Sequence, residues 1–315
     1  MKDTCYVITG PTASGKSALA LNVAERCGGE LICMDSMQIY RGMDIGTAKP
    51  TIEEQRRIPH HMLDIVSPDE EFSVSMYREM AEAIAQDVLR RGKIPVFCGG
   101  TGFYLRALRH PELMMGNTPA DPVIRAALEK EASTPDGKHD LHVQLEQVDP
   151  QTAERLHEND VRRVIRALEV YKVTGIPFSM QSQKMSPVSS DRQMEYRVIC
   201  LNMERSELYA RINRRVDEMM EAGLLSEVRR LLESGISPQA QAMQGIGYKE
   251  LVPFLQGMTE LDSAIDLIKQ NTRHYAKRQL TWMRRETEVL WLDSRSDILD
   301  SALMYFTDPE GKDIR

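Results

Sequence analysis

An α/β fold, a parallel sheet with flanking helices and an inserted all-helical domain, follows from three features of the sequence. Short apolar runs alternate with helix-patterned segments through the first hundred residues. Glycine-rich turns join those runs to the helices after them. Between residues 119 and 191 helical periodicity continues but no strong strand signal appears. Alternation of strand, loop and helix predicts parallel strands with crossover helices on both faces.

Taken in order, Cys5 to Thr9 is an apolar run ending in a Gly-Pro turn and reads as a buried strand. Ser17 to Arg26 reads as a helix, with Ala18, Leu19, Leu21 and Val23 among its apolar positions. Glu30 to Met34 is a second strand with Asp35 at its carboxyl tip, and Phe72 to Arg91 is a helix closed by Gly92. Ile94 to Cys98 is a third strand, followed by Gly99-Gly100-Thr101-Gly102 and another helix. Ser186 to Asp191 is polar and turn-rich, like a hinge. Tyr196 to Leu201 and Val289 to Leu292 are further strands, with long helical stretches at 205–233 and 261–286 between them. The expected organisation is a core of residues 1–118 and 192–315, interrupted by a helical insertion at 119–191.

Composition removes several function classes. The five cysteines, Cys5, Cys27, Cys33, Cys98 and Cys200, form no CxxC pair, so neither a disulfide framework nor a zinc site is expected. No apolar run approaches 18 residues, so no membrane span is expected. The first strand leaves no room for a signal peptide before Cys5, and a reducing, cytoplasmic setting is the natural reading. The net charge of −7 argues mildly against a polyanion partner. Totals hide local patches, however. From Lys269 to Arg285 there are six basic residues and no acidic one. Within it, Arg273 and Lys277 share a helical face, and together with Arg278 they suit nucleic-acid phosphates.

The most specific motif is Gly10-Pro11-Thr12-Ala13-Ser14-Gly15-Lys16-Ser17, which matches G-x-x-x-x-G-K-[ST] between a strand and a helix. The sheet is therefore expected to be P-loop NTPase-like. Glycines let the loop's N–H groups turn inward, and the helix N-terminus adds positive potential. Lys16 supplies a mobile charge, and the Ser17 hydroxyl can ligate Mg²⁺. Nucleotide is the default occupant, and the nearest thing to a Walker-B strand is the run that ends at Asp35. No kinase signature or guanine-specific NKxD motif accompanies it, so another diphosphate also fits. In a parallel sheet ligands sit at the carboxyl ends of strands. The loop, Asp35 and Thr101 all fall there, which makes them one candidate site.

Six further segments belong together. They are Asp35 to Pro50 (DSMQIYRGMDIGTAKP), Pro59 to Asp64 (PHHMLD), Gly99 to Tyr104 (GGTGFY), Asn159 to Glu169 (NDVRRVIRALE), Gln244 to Glu250 (QGIGYKE) and Thr272 to Trp282 (TRHYAKRQLTW). With the phosphate loop, this set closely resembles the bacterial tRNA dimethylallyltransferases, also called tRNA isopentenyltransferases, from about residue 5 to 293. The resemblance implies transfer of a dimethylallyl group from dimethylallyl diphosphate to the exocyclic N6 amine of the adenosine 3′ of the anticodon in tRNA. Diphosphate is released. It implies Asp35 as general base, where the residues alone also allow a Mg²⁺ ligand or a helix cap. Thr101 lies at the reacting centre by the same resemblance, and a helix N-cap is compatible with that role. Lys16 and an arginine of the 207–223 helix, taken as Arg215, face the leaving diphosphate. Contacts to tRNA are implied for Asp35, Ser36, Met37, Gln38 and Thr101. They are implied also for the Asp121–Arg125 region with Val123, and for Asn159, Asp160, Val161, Arg162 and Arg163. Gln38 is expected to read the polar edge of a flipped base. Ser17, Glu158, Met283 and Phe103 depart from the usual family residues without removing a charge the reading needs. Mg²⁺, the anticodon stem-loop and a monomeric enzyme complete the expectation. An adenylate prenyltransferase, a P-loop small-molecule kinase and a non-catalytic RNA-binding module are the alternatives.

Overall fold

The structure, a computed structural model, describes residues 3–111, 121–181, 194–294 and 298–307. These fall into two compact units, one within Met1–Leu108 and Arg192–Arg315, the other within Arg109–Asp191.

The first unit opens with β1 (Thr4–Thr9), α1 (Lys16–Cys27), β2 (Glu30–Cys33), α2 (Ile52–Arg57), β3 (His60–His61), α3 (Val74–Arg90), β4 (Pro95–Cys98) and α4 (Gly102–Arg109). The second contains α5 (Pro122–Ala132), α6 (Gly137–Val148), α7 (Pro150–Arg155), α8 (Val161–Thr174) and α9 (Phe178–Gln181). The chain then returns through β5 (Glu195–Asn202), α10 (Arg205–Glu221), α11 (Leu224–Glu233), α12 (Tyr248–Leu255), α13 (Leu261–Met283), β6 (Val289–Asp293) and α14 (Ile298–Thr307).

All six strands are parallel, in the order β3-β2-β4-β1-β5-β6. Both faces are covered, which explains the unbroken apolar runs of the sequence. Along β1, Cys5 and Val7 enter one core while Tyr6 and Ile8 enter the other, and in β4 Phe97 and Val96 divide the same way. Register places Ile8 beside Cys98, and Cys33 beside Cys98 on the other side of β4. Consequently the chain leaves β1, β2 and β4 at nearly the same level. The segments after them, starting at Gly10, Met34 and Gly99, are brought to one edge.

Local chemistry sets the helix ends. The Ser73 hydroxyl accepts from the Met76 N–H, so the helix expected from Phe72 begins at Val74. The helical stretch over 205–233 is two helices, divided where Gly223 takes a left-handed φ of 101° between α10 and α11. The short helices α2 and α12 were not expected, and α12 contains Pro253, which blurs the helical pattern. In the second unit Asp121 caps α5 ahead of Pro122, and Asp149 caps α7 ahead of Pro150. Leu128, Leu141, Leu145, Val164 and Leu168 form its core. The buried Glu169 carboxylate is satisfied there by Arg125, Arg166 and the Asp121 N–H. Among the described residues, no helix is long and apolar enough to cross a membrane.

Candidate active site

The phosphate loop is built from three left-handed residues. Gly10 (φ 145°), Ala13 (φ 65°) and Gly15 (φ 89°) turn the chain from β1 into α1. Its N–H groups divide into two sets. The Thr12 N–H is taken by the Gln279 side chain (2.9 Å) and the Ser14 N–H by the Pro11 carbonyl (3.3 Å). Those of Ala13, Gly15, Lys16 and Ser17 have no protein acceptor among the described residues, which leaves them available to an anion. The Ser14 hydroxyl is buried in the same loop without a partner.

Two cations flank the loop. Lys16 Nζ donates to the Pro11 carbonyl (3.3 Å), and Arg215 of α10 donates from Nη1 to the Thr12 hydroxyl (3.4 Å). Burial lowers the pKa of both, and the Asp35 carboxylate pulls both back up. Lys16 is lowered further by the Arg215 charge. The two like charges and the removal of water leave a site whose cations are under-compensated. A bound diphosphate would relieve that imbalance.

Asp35 follows β2 and Met34. One carboxylate oxygen accepts from the Met37 N–H (2.9 Å), fixing the side chain in a tight turn. Next to it, the Ser36 N–H donates to the Thr101 hydroxyl oxygen (3.1 Å), and the Thr101 N–H donates to the Met34 carbonyl (3.3 Å). This close approach needs glycine at position 99, where a Cβ would lie 2.0 Å from the Met34 carbonyl oxygen. Thr101 thus ties the turn after β4 to the turn that carries Asp35. Its hydroxyl serves that contact, while its carbonyl accepts from the Tyr104 and Leu105 N–H groups at the start of α4.

These parts share one cavity, lined by Thr12, Lys16, Ser17, Asp35, Gln38 and Arg215 among others. Cys33 and Cys98 lie in its wall, and burial pushes the Cys98 thiol up to about 11, so it stays protonated and weakly polar. The hard oxygen donor that the sequence offers to Mg²⁺, the Ser17 hydroxyl, lies in this cavity. No group of three or more His, Cys, Asp or Glu that could hold a metal occurs among the described residues, in this cavity or outside it.

The other expected residues have contacts of their own. Gln38 lines the cavity, but its amide nitrogen donates to the Thr47 and Ala48 carbonyls (3.0 and 3.1 Å), and its oxygen accepts from the Cys33 thiol. Its amide therefore holds the cavity wall. Arg273 is bonded to Asn213 (2.7 Å), whereas Lys277 and Arg278 on the same helix are exposed. In the helical unit Val123, Asn159, Asp160, Arg162 and Arg163 are exposed and Val161 is half-buried. Arg163 pairs with Asp160 at 3.5 Å.

Tyr275 and Gln279 escaped the sequence reading, although both line the cavity. Burial raises the Tyr275 pKa, followed by the Asp35 charge, so its hydroxyl keeps its proton. Their spacing of four puts them on one face of α13. The basic residues around them drew attention to its solvent side.

Residues 38–286 match the family model described as IPP transferase, and residues 3–65 match that for isopentenyl transferase. A tRNA dimethylallyltransferase of Pelotomaculum thermopropionicum is 48% identical over 291 residues, spanning 92% of this chain and 91% of its own. One from Desulforudis audaxviator is 50% identical, with 91% of each chain covered. The crystal structure of a full-length tRNA isopentenylpyrophosphate transferase from Bacillus halodurans superposes with a TM-score of 0.69 at 42% identity, covering 97% of this chain and 95% of that one. A eukaryotic dimethylallyltransferase acting on tRNA gives 0.77 at 31% identity, over 95% of this chain and 75% of the other. The phosphate loop, the acidic turn facing it and these matches along nearly the whole length place the chain in the IPP transferase family, that of the tRNA dimethylallyltransferases.

Proposed function

We propose that this protein transfers the dimethylallyl group of dimethylallyl diphosphate to the N6 amine of the adenosine 3′ of the anticodon in tRNA, and releases diphosphate. The observation that carries the reading is the sharing of one cavity by the phosphate loop, two partly desolvated cations and the Asp35 carboxylate.

The chemistry follows from that arrangement. An adenine amine is a weak nucleophile, because its lone pair is delocalised into the ring. As the new N6–C1 bond forms and the C1–O bond breaks, Asp35 accepts an N6 proton. The departing diphosphate gathers negative charge against the open N–H groups of Ala13, Gly15, Lys16 and Ser17 and against the Lys16 and Arg215 side chains. The Ser17 hydroxyl would hold Mg²⁺, which would supply further charge neutralisation. The Thr101 hydroxyl, fixed by the Ser36 N–H, keeps the acidic turn at its distance from the strand end. A base stacked in an anticodon loop reaches such a pocket only when flipped out. Lys277 and Arg278 then contact RNA phosphates, and the exposed Asn159, Asp160, Arg162 and Arg163 at the start of α8, with Val123, provide a second contact region.

The test is to incubate the protein with Mg²⁺, labelled dimethylallyl diphosphate and either tRNA or AMP. Label in tRNA, mapped to the adenosine 3′ of the anticodon, is expected. Label in AMP alone would make the protein an adenylate prenyltransferase. Mg²⁺-dependent ATP turnover without prenyl transfer would make it a kinase or NTPase.

A further inference from the structure

We propose that Gln279 is a positioning residue that sets the distance between the diphosphate cradle and the Thr101 turn, a role that rests on the function proposed above. Gln279 is only 6% exposed. Its amide oxygen accepts from the Thr12 N–H at 2.9 Å, and its amide nitrogen donates to the Gly100 carbonyl at 3.0 Å. These partners lie 267 and 179 residues away in sequence, on the two loops that carry Lys16 and Thr101. One planar amide therefore spans the gap between them from α13.

The surroundings are shaped for that amide. A Cβ on Gly100 would lie 2.0 Å from the Gln279 nitrogen, so no side chain at 100 is compatible with the bridge. One turn further along α13, Trp282 packs against Gly102, where a Cβ would meet the indole ring at 2.5 Å. The helix is thus seated on both sides of Thr101. Thr12 is also the residue whose hydroxyl accepts from Arg215. Two helices of the C-terminal half, α10 and α13, therefore meet the phosphate loop at a single residue.

The bridge has two consequences for ligand binding. It removes the Thr12 N–H from the set available to an anion, so the cradle begins at Ala13. It also requires an acceptor and a donor on the same side chain. Glutamine satisfies both needs, glutamate only the first, and methionine neither. A glutamate would in addition bring a negative charge to an anion site.

The variants Gln279→Met and Gln279→Glu test this. Four quantities are read: the KM for dimethylallyl diphosphate, kcat, the affinity for inorganic diphosphate with Mg²⁺, and the affinity for tRNA without diphosphate. Melting temperature checks the fold. Gln279→Met is expected to raise the KM and weaken inorganic diphosphate binding about tenfold or more, as displacement of a binding loop does. Its tRNA affinity should stay within about twofold of wild type, a small change beside the tenfold steps that matter for affinity. Gln279→Glu is expected to weaken diphosphate binding further than Met does. Wild-type diphosphate affinity in Gln279→Met overturns the proposal. So does a loss shared equally by diphosphate and tRNA in step with melting temperature, because that is general destabilisation. If the wild-type protein alkylates no RNA, the proposed function fails, while inorganic diphosphate binding still decides the role of Gln279.

Discussion

Lys16 and Arg215 both carry charge in a place that disfavours it. Burial lowers the pKa of each, and the only acid pulling on both is Asp35. Such a pair is poorly compensated until an anion arrives, so its energy is realised on diphosphate binding and grows as the leaving group gains charge. Arg215→Ala should lower kcat/KM for dimethylallyl diphosphate about 10²–10³-fold, with tRNA affinity unchanged; steady-state kinetics with each substrate varied would detect this. Equal losses for both substrates would instead assign Arg215 a role in folding. Lys16, Ser17 and Asp35 were legible because a motif and a strand end announce them. The contacts of the Gln38 amide were not legible, because its partners, the Thr47 and Ala48 carbonyls, come from a loop whose course no local pattern dictates.

Elements bring the site together by joining distant segments. Strand positions were legible from apolar runs bounded by Gly and Pro, since a fully covered parallel sheet leaves that signature. The inner face of α13 was not, because Gln279 meets Thr12 only after the chain has returned from β5. Another tie of this kind holds the loop that supplies Thr47. The buried Glu227 of α11 accepts from the Asp44, Ile45 and Gly46 N–H groups (3.0, 2.9 and 3.1 Å) and from the Tyr248 hydroxyl (2.6 Å). Glu227→Ala would leave the buried Tyr248 hydroxyl and three partly buried N–H groups without their acceptor and should destabilise the fold by about 3 kcal/mol. Chemical denaturation would measure it, and a change below about 1 kcal/mol would contradict it. At the other end of β2, Glu30 is buried and held by Arg91, Lys93 and His61. The Arg91 hydrogen bonds keep its carboxyl well below the ordinary value of 4.5, with Lys93 and His61 adding to this against the opposing effect of burial. A depressed folded-state pKa means that its stabilisation is present above that ordinary value and is lost as the pH falls toward the folded-state one. Glu30→Gln should therefore lower the melting temperature at pH 7 and flatten its fall between roughly pH 5 and 3. Parallel melting curves for both proteins in that range would count against it.

Taken as a whole, the chain is acidic, with a net charge of −7, yet the proposed substrate is a polyanion. The apparent conflict disappears when charge is placed: Lys277 and Arg278 are exposed on one helix, while Glu30 and Glu169 are spent inside ion pairs and Glu227 on the N–H groups of a loop. Binding that depends on a few local cations should weaken with salt. Lys277→Ala with Arg278→Ala should reduce the log–log salt slope by about 1 for each phosphate that is no longer neutralised. Filter binding of tRNA across a salt series reads the slope directly. The central claim is narrower, namely that Asp35 takes the proton while the phosphate loop holds the leaving group. Single-turnover transfer from labelled dimethylallyl diphosphate to tRNA by Asp35→Ala is the most direct test. Transfer should slow by about 10²-fold or more, the size of a lost general base, while melting temperature and the binding of inorganic diphosphate and tRNA are kept. Transfer at the wild-type rate would contradict it.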